Sequence, residues 1–257
     1  MSSTANPLAK HFRQPKIYIK LPSAGQWYPP GSIDLPVTRE VAVYAMTARD
    51  ELILKTPDAL LNGQATVDVI QSCVPAIKNA WKMPSVDIDA VMIAIRQATY
   101  GTQMDFVSVC PHCKSKNDYA VDLSVLSNQI RCPDFGQVIE VEGLEIYIKP
   151  HTFEEYNKAN LENYEQQRII ALVNNEDLDE SVKLAKFKEL FEKLLKLAVD
   201  QITKSVAGIK TEDGVLVEDR VLLDEFFKNC NKEIWDAVKT KLESFVDQSA
   251  VKNIDVV

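Results

Sequence analysis

The sequence predicts an α+β protein, and three observations carry that prediction. The 257 residues are 46% hydrophobic and 26% charged, which is the composition of a folded globular chain. Apolar residues recur at helical spacing over long stretches near both ends. Alternating apolar and polar residues, in pairs joined by turn residues, indicate β-hairpins between them. We expect a helical N-terminal half, β-hairpin elements in the middle and a mainly helical C-terminal half.

Changes in this pattern along the chain suggest four regions. Residues 1–16 form a basic extended arm, and residues 17–102 combine strands, a loop and helices. Residues 103–150 form a β-hairpin region that carries a Cys-x-x-Cys knuckle, and residues 151–257 form an acidic helical domain. The first twenty residues of the chain hold four cations and no acid, and we expect the arm to order on a partner. Removal of residues 1–15 is then expected to weaken assembly and leave the fold intact.

Two strands and an irregular loop are predicted first. Residues 17–21 and 40–46 have strand character, and the loop from Pro22 to Pro36 is rich in proline and glycine. Trp27 and Tyr28 lie in this loop. They either act as interface anchors, since aromatic residues dominate binding hot spots, or fold back as a lid on their own core.

Three helices follow. Thr47 is a candidate N-cap with Asp50 three residues later, and residues 65–74 and 89–100 make two further apolar helices. Asp87 and Asp89 stand directly before and at the start of the third helix. We interpret them as capping and dipole-compensating residues, not as a catalytic acid and base.

The middle of the chain predicts two hairpins. Residues 104–109 and 118–123 alternate around Cys110-Pro111-His112-Cys113, and residues 138–141 and 144–148 flank Glu142-Gly143. A third hairpin is predicted over 209–217, turning at Asp213-Gly214. Helices are predicted over 153–174, 178–206, 221–229 and 232–246. The apolar stripe of the longest helix is expected to be buried, with part of it free to face a partner chain.

Cys110 and Cys113 form the one sharp chemical motif, because two thiolates two residues apart at a hairpin tip can share a tetrahedral Zn²⁺. Cys132 follows at the spacing of a second ligand pair, but Phe135 stands where a fourth cysteine would fall. His151 is the candidate fourth ligand, and Asp134, His112 or a neighbouring subunit are alternatives. A knuckle without metal, or thiols that simply pack, is also compatible with the pattern. Zinc here would be structural, because it would clamp a small hairpin.

Catalytic equipment is scarce. Phosphate-cradling glycine loops and nucleophile motifs are absent, there are eight glycines, and the three histidines are His11, His112 and His151. We therefore expect no enzyme. No apolar run is long enough to span a membrane, and the N-terminus lacks the apolar core of a signal peptide.

Charge is divided unevenly along the chain. Residues 1–135 hold 13 basic and 12 acidic side chains, whereas residues 136–257 hold 16 and 25. The acidic half argues against nucleic-acid binding, because phosphate contacts need clustered cations. The alternative reading that stays open is a zinc-knuckle nucleic-acid-binding regulator, with Lys114, Lys116 and Arg131 near the two thiols.

Several runs of residues resemble one family in order and spacing. They are Lys16-Ile17-Tyr18-Ile19-Lys20-Leu21-Pro22-Ser23, Met46-Thr47-Ala48-Arg49-Asp50-Glu51, Thr56-Pro57-Asp58-Ala59-Leu60-Leu61-Asn62-Gly63, Ser72-Cys73-Val74-Pro75, Thr99-Tyr100-Gly101 and the Cys110–Cys113 knuckle. Together they are similar to the baseplate hub proteins of T-even-type contractile phages, most closely over residues 16–125.

The resemblance implies a late bacteriophage protein of the tail baseplate hub, a structural or assembly subunit that acts by protein–protein contacts. It would be assembled in the host cytoplasm and located in the virion. Its partners would be other baseplate hub and tail proteins, within a homo-oligomer or a larger complex, without nucleic acid or membrane.

Overall fold

The computed structural model describes Leu8 and residues 11–57, 62–175 and 180–249, with side chains described outside 169–187. Most of the predicted arm, the Asp58–Leu61 part of the family-like stretch and the predicted start of the longest helix lie outside the described residues. The rest is α+β, as the sequence predicts, and divides into two compact units. Of the described residues, unit 1 includes 11–57, 62–83 and 87–130, and unit 2 includes Pro84–Val86, 131–175 and 180–249.

Unit 1 begins with a two-stranded antiparallel sheet, β1 (Pro15–Lys20) and β2 (Glu40–Tyr44), in which Ile17 pairs with Val43. Three helices follow: α1 (Ala48–Leu54), α2 (Gln64–Cys73) and α3 (Ile88–Tyr100). The capping box predicted at Thr47 is present, with Thr47 and Asp50 bonded reciprocally. Helix α3 packs on both strands.

The core of unit 1 is aliphatic. Val41 and Val43 from β2 are fully buried, and they share this interior with apolar residues of α2 and α3, namely Val67, Val69, Ile70, Val91, Ala94 and Ile95. Each buried valine or isoleucine contributes about 1.5–3 kcal/mol relative to exposure. The remaining elements of unit 1 are β3 (Gln103–Val109), β4 (Lys116–Asp122) and the short helix α4 (Leu123–Ser127).

Unit 2 is built around a four-stranded antiparallel sheet of order β5-β6-β7-β8: β5 (Ile139–Val141), β6 (Leu144–Ile148), β7 (Val206–Lys210) and β8 (Leu216–Val217). Between β6 and β7 the chain forms two long helices, α5 (Phe153–Asn175) and α6 (Glu180–Ser205). Helices α7 (Arg220–Asn229) and α8 (Lys232–Ser249) complete the unit. The core combines Ile146, Ile209, Leu223, Phe227 and Val238 with the buried end of α6.

The pairing of β6 with β7 is a finding that the sequence analysis did not anticipate. Ile146 pairs with Ile209, and both long helices lie between them in the chain. The two predicted hairpins 138–148 and 209–217 are both present, but as halves of one sheet. The predicted division at residue 150 therefore runs between two strands that the structure joins. Strand β7 also starts at Val206, directly after α6, where the sequence predicted the last residue of a helix.

Candidate functional site

The cysteine knuckle lies at the tip of the β3–β4 hairpin, as predicted. The strands pair in register from Gln103 with Asp122 to Val109 with Lys116. The turn is closed by two backbone bonds: the amide of Cys110 donates to the carbonyl of Ser115, and the amide of Lys114 donates to that of Cys110, both at 2.9 Å. Lys114 adopts a left-handed conformation at φ 60°. This tight turn places Cys110 and Cys113 together at the tip of the hairpin.

Cys113 has the chemistry of a metal ligand. Its sulfur lies 3.0 Å from Ser115 Oγ. Hydrogen bonds from the Ser115 hydroxyl, the Ser115 amide and the Cys110 side chain lower the pKa of the Cys113 thiol to about 7. A large fraction of this exposed thiol is therefore thiolate at neutral pH, and the thiolate is the form that binds metals. The two cysteines fit zinc as two of its four ligands.

The other two predicted ligands, Cys132 and His151, belong to unit 2. The Cys132 thiol donates to the Pro133 carbonyl at 3.3 Å. His151 Nε2 lies 3.1 Å from the Gln201 carbonyl and 2.5 Å from Ser205 Oγ. Among the described residues, no group of three or more histidine, cysteine or acidic side chains is placed to hold a metal ion. A zinc ion bound by Cys110, Cys113, Cys132 and His151 stays a prediction.

The Ser205–His151 pair superficially resembles a nucleophile and its base. Ser205 is buried at 5% exposure, and its hydroxyl donates to the Gln201 carbonyl at 3.0 Å. The Gln201 carbonyl can only accept and lies 3.1 Å from Nε2, so we assign the ring proton to Nε2, which then does not act as a base toward Ser205. Burial lowers the pKa of His151 and keeps the ring neutral. The pair therefore links the chain after β6 to the end of α6.

His11 and His112 are exposed, so each lacks the burial that fixes a catalytic base. Neither histidine therefore has the fixed position that a general base needs.

Within the described part of the predicted arm, Arg13 makes hydrogen bonds and an ion pair with the rest of unit 1. Its guanidinium donates to the carbonyls of Ala45 and Ser72 at 2.7 and 2.6 Å and lies 3.4 Å from Asp50 Oδ2. Burial raises the pKa of Asp50, but hydrogen bonds from Thr47 and Ser72 and the charge of Arg13 bring it below its ordinary value. Arg13 thus belongs to the fold of unit 1. Removal of residues 1–15 would take these contacts away, so we now expect it to lower the stability of unit 1.

Asp87 corrects a second interpretation. Its side chain makes no capping bond to α3 and is fully buried. It accepts hydrogen bonds from the Ser23 amide and hydroxyl at 2.7 and 2.5 Å and from the Tyr28 hydroxyl at 3.0 Å. Burial raises the pKa of Asp87 despite these donors. Tyr28 therefore folds back onto its own unit, which is the lid alternative for this aromatic loop.

The sequence does not show which apolar side chains of the helices are buried and which are exposed to solvent. On α6, Leu190 and Leu197 are buried, whereas Phe191 and Leu195 are 70% and 58% exposed. These two residues are four apart and share one helix face. Further exposed large side chains are Tyr18, Leu52 and Tyr100 in unit 1 and Tyr156, Tyr164, Val221, Leu222 and Val246 in unit 2. Exposed aromatic and aliphatic groups of this kind are typical of contact surfaces.

Comparison with known proteins gives one match. A family model described as "T4 bacteriophage base plate protein" matches residues 15–255. No curated protein and no solved structure matches the chain. In the part of the chain that the structure describes, no helix is both long enough and apolar enough to cross a membrane.

Proposed function

Because the chain belongs to the T4 bacteriophage base plate protein family, we propose that it is a structural or assembly subunit of the baseplate hub of a contractile tail. The family match over residues 15–255 is the observation that carries the proposal, and it supports a place in the virion tail. The hub position, assembly in the host cytoplasm and action by protein–protein contacts are the parts we propose.

The surface supports action through protein contacts. Phe191 and Leu195 expose an apolar face in the middle of α6, and Tyr164 on α5 is 59% exposed. Large aromatic and aliphatic groups gain the most free energy when a partner removes them from water. We propose that other hub and tail proteins, or further copies of this chain, cover these side chains in the assembled baseplate.

A non-enzymatic role is the second part of the proposal. His11 and His112 are exposed, and His151 is held neutral between Gln201 and Ser205. A general base needs a fixed position and a proton-accepting nitrogen near substrate. None of these histidines combines the two, and this supports a structural protein.

The nucleic-acid alternative finds little support around the cysteine knuckle. Lys114 and Lys116 are exposed there, but the same hairpin carries Asp105, Asp118 and Asp122. Phosphate binding requires an excess of cations on one surface. The hairpin has no such excess, so we retain the baseplate role.

The test uses a phage whose gene for this protein carries an early stop codon. A phage with a synonymous substitution at the same codon is the matched control. We expect the stop-codon phage to yield no infectious tails of normal form, and complementation with the intact chain to restore them. Normal tails without the protein would contradict the proposal. Mass spectrometry of finished wild-type particles then distinguishes a permanent subunit, which is present at fixed copy number, from an assembly factor, which is absent.

A further inference from the structure

The tip of the β3–β4 hairpin holds two cysteines in a position that another molecule can reach. Pro111, His112, Cys113, Lys114 and Ser115 are all exposed, and Cys110 is partly exposed. The strands that carry the tip are also open to solvent, with Val107 and Val109 60% and 51% exposed. The described part of unit 1 would therefore leave a metal ion at this tip accessible to a second molecule.

The turn orders the two sulfurs before any ligand binds. The Cys110–Ser115 and Lys114–Cys110 backbone bonds close the loop, and the Cys113 sulfur lies 3.0 Å from the Ser115 hydroxyl oxygen. Amide donors that point at sulfur stabilise the charge of a metal-bound thiolate. The geometry is that of a preformed two-ligand site for a soft divalent ion such as Zn²⁺.

The described residues supply two ligands where zinc needs four. No third histidine, cysteine or carboxylate joins Cys110 and Cys113 within the described ranges. Cys132 and His151 each have hydrogen-bond partners inside unit 2, so using them for zinc would cost those contacts. The same hairpin in a second copy of this chain carries the same two cysteines. Two such pairs supply the four thiolates of a tetrahedral structural zinc site.

We propose that Cys110 and Cys113 form half of an intermolecular zinc site that the same two cysteines of a second copy complete. The site is incomplete without that copy, so zinc and dimerisation are coupled. A two-fold dimer suits this arrangement, because each copy presents the same surface to the other. Zinc binding also clamps a two-stranded hairpin, an element that is marginally stable alone in water. The proposal does not depend on the baseplate role.

The experiment uses the full-length chain, purified in reductant, dialysed free of metal and then supplied with zinc alone. Metal content is measured by mass spectrometry and molar mass by light scattering. We expect one zinc per two chains, a dimer that forms with zinc, and a return to monomer with chelator. One zinc per chain in a monomer, no retained zinc, or a metal-free Cys110–Cys113 disulfide as the stable form would each overturn the proposal.

Matched variants identify the ligands. Cys110→Ser and Cys113→Ser should each lose both zinc and the dimer, while circular dichroism shows that the fold is kept. His112→Asn in the same turn and Cys132→Ser in unit 2 should retain both properties. Loss of zinc in Cys132→Ser would instead favour the intrachain site. Cobalt substitution gives a second readout that does not depend on dimer stability: the thiolate-to-cobalt absorption per metal should match four thiolates and not two.

Discussion

Two buried acidic side chains join segments of unit 1 that are distant in the chain. Asp87 bonds Ser23 and Tyr28 of the loop between β1 and β2, and Asp50 bonds Thr47 and Ser72. A buried carboxylate is costly unless donors surround it, and here each has several. Burial still disfavours the charged form of Asp87, since desolvation raises the pKa of this carboxyl group.

Substitution of Asp87 tests its anchoring role against the capping interpretation. Asp87→Ala leaves the Ser23 amide, the Ser23 hydroxyl and the Tyr28 hydroxyl without their acceptor, so the free energy of unfolding should fall by about 1–3 kcal/mol. Asp89→Ala, at an exposed position in the first turn of the same helix, removes only a dipole interaction of about 0.3–1 kcal/mol. Urea unfolding measures both. Equal losses would restore the capping interpretation.

At the scale of elements, the most informative feature is the passage from α6 into β7. The helix ends at Ser205 and the strand begins at Val206. Arg220, the first residue of α7, donates to the carbonyls of Thr203 and Val206 at 2.7 Å and so satisfies backbone groups on both sides of the passage. His151 holds the same region from the β6 side through Ser205 and Gln201. The sheet and the long helix are therefore fixed together by side chains.

The His151 contact predicts a pH dependence. Burial is the main cause of its lowered pKa, and Lys204 and Lys149 lower it further while Glu155 acts in the opposite direction. Since the folded-state pKa lies below the ordinary 6.5, the unfolded chain takes up a proton at higher pH than the folded chain. This contribution to stability is full above that value and is lost as the pH falls through it toward the folded-state pKa.

The measurement compares urea unfolding at about pH 7.5 and about pH 5.5. The wild type should lose more stability between these conditions than His151→Gln, whose amide does not titrate. His112→Gln, at an exposed turn position, should follow the wild type. The same loss in all three proteins would show that His151 is not the titrating group.

At the scale of the whole molecule, we expect the N-terminal region to have two roles, one in the stability of unit 1 and one in assembly. Arg13 stabilises unit 1, since it reaches carbonyls at Ala45 and Ser72 and the carboxylate of Asp50. Lys10, the one lysine or arginine before it, remains the candidate for contact with a partner. The boundary between the two roles should therefore lie just before Arg13, and not at the end of the predicted arm.

Two truncations locate that boundary. Removal of residues 1–10 keeps Arg13, and we expect an unchanged melting temperature together with a lower yield of assembled tails. Removal of residues 1–14 takes Arg13 away and should cost about 1–2 kcal/mol of stability, reduced by the partial exposure of the side chain. Arg13→Ala in the full chain should reproduce that loss of stability alone. An assembly defect that appears only when stability falls would rule out a separate role for the arm.

The sequence by itself determined the elements of this protein and its family. Periodicity and turn residues placed the three hairpins, the Thr47 capping box and the cysteine knuckle, because these depend on residues close together in the chain. The resemblance that pointed to a phage baseplate is confirmed by the family match.

Only the tertiary structure decided which distant parts of the chain those elements contact. The pairing of β6 with β7, the burial of Asp87 beneath Ser23 and Tyr28, and the place of Arg13 beside Asp50 all join residues far apart in the chain. A local pattern shows that Asp87 precedes a helix, but its surroundings come from a loop some sixty residues earlier. Likewise, only the fold showed that no third ligand group joins Cys110 and Cys113 among the described residues. Local patterns specify conformation, whereas the solvation and partners of a side chain depend on packing between distant segments.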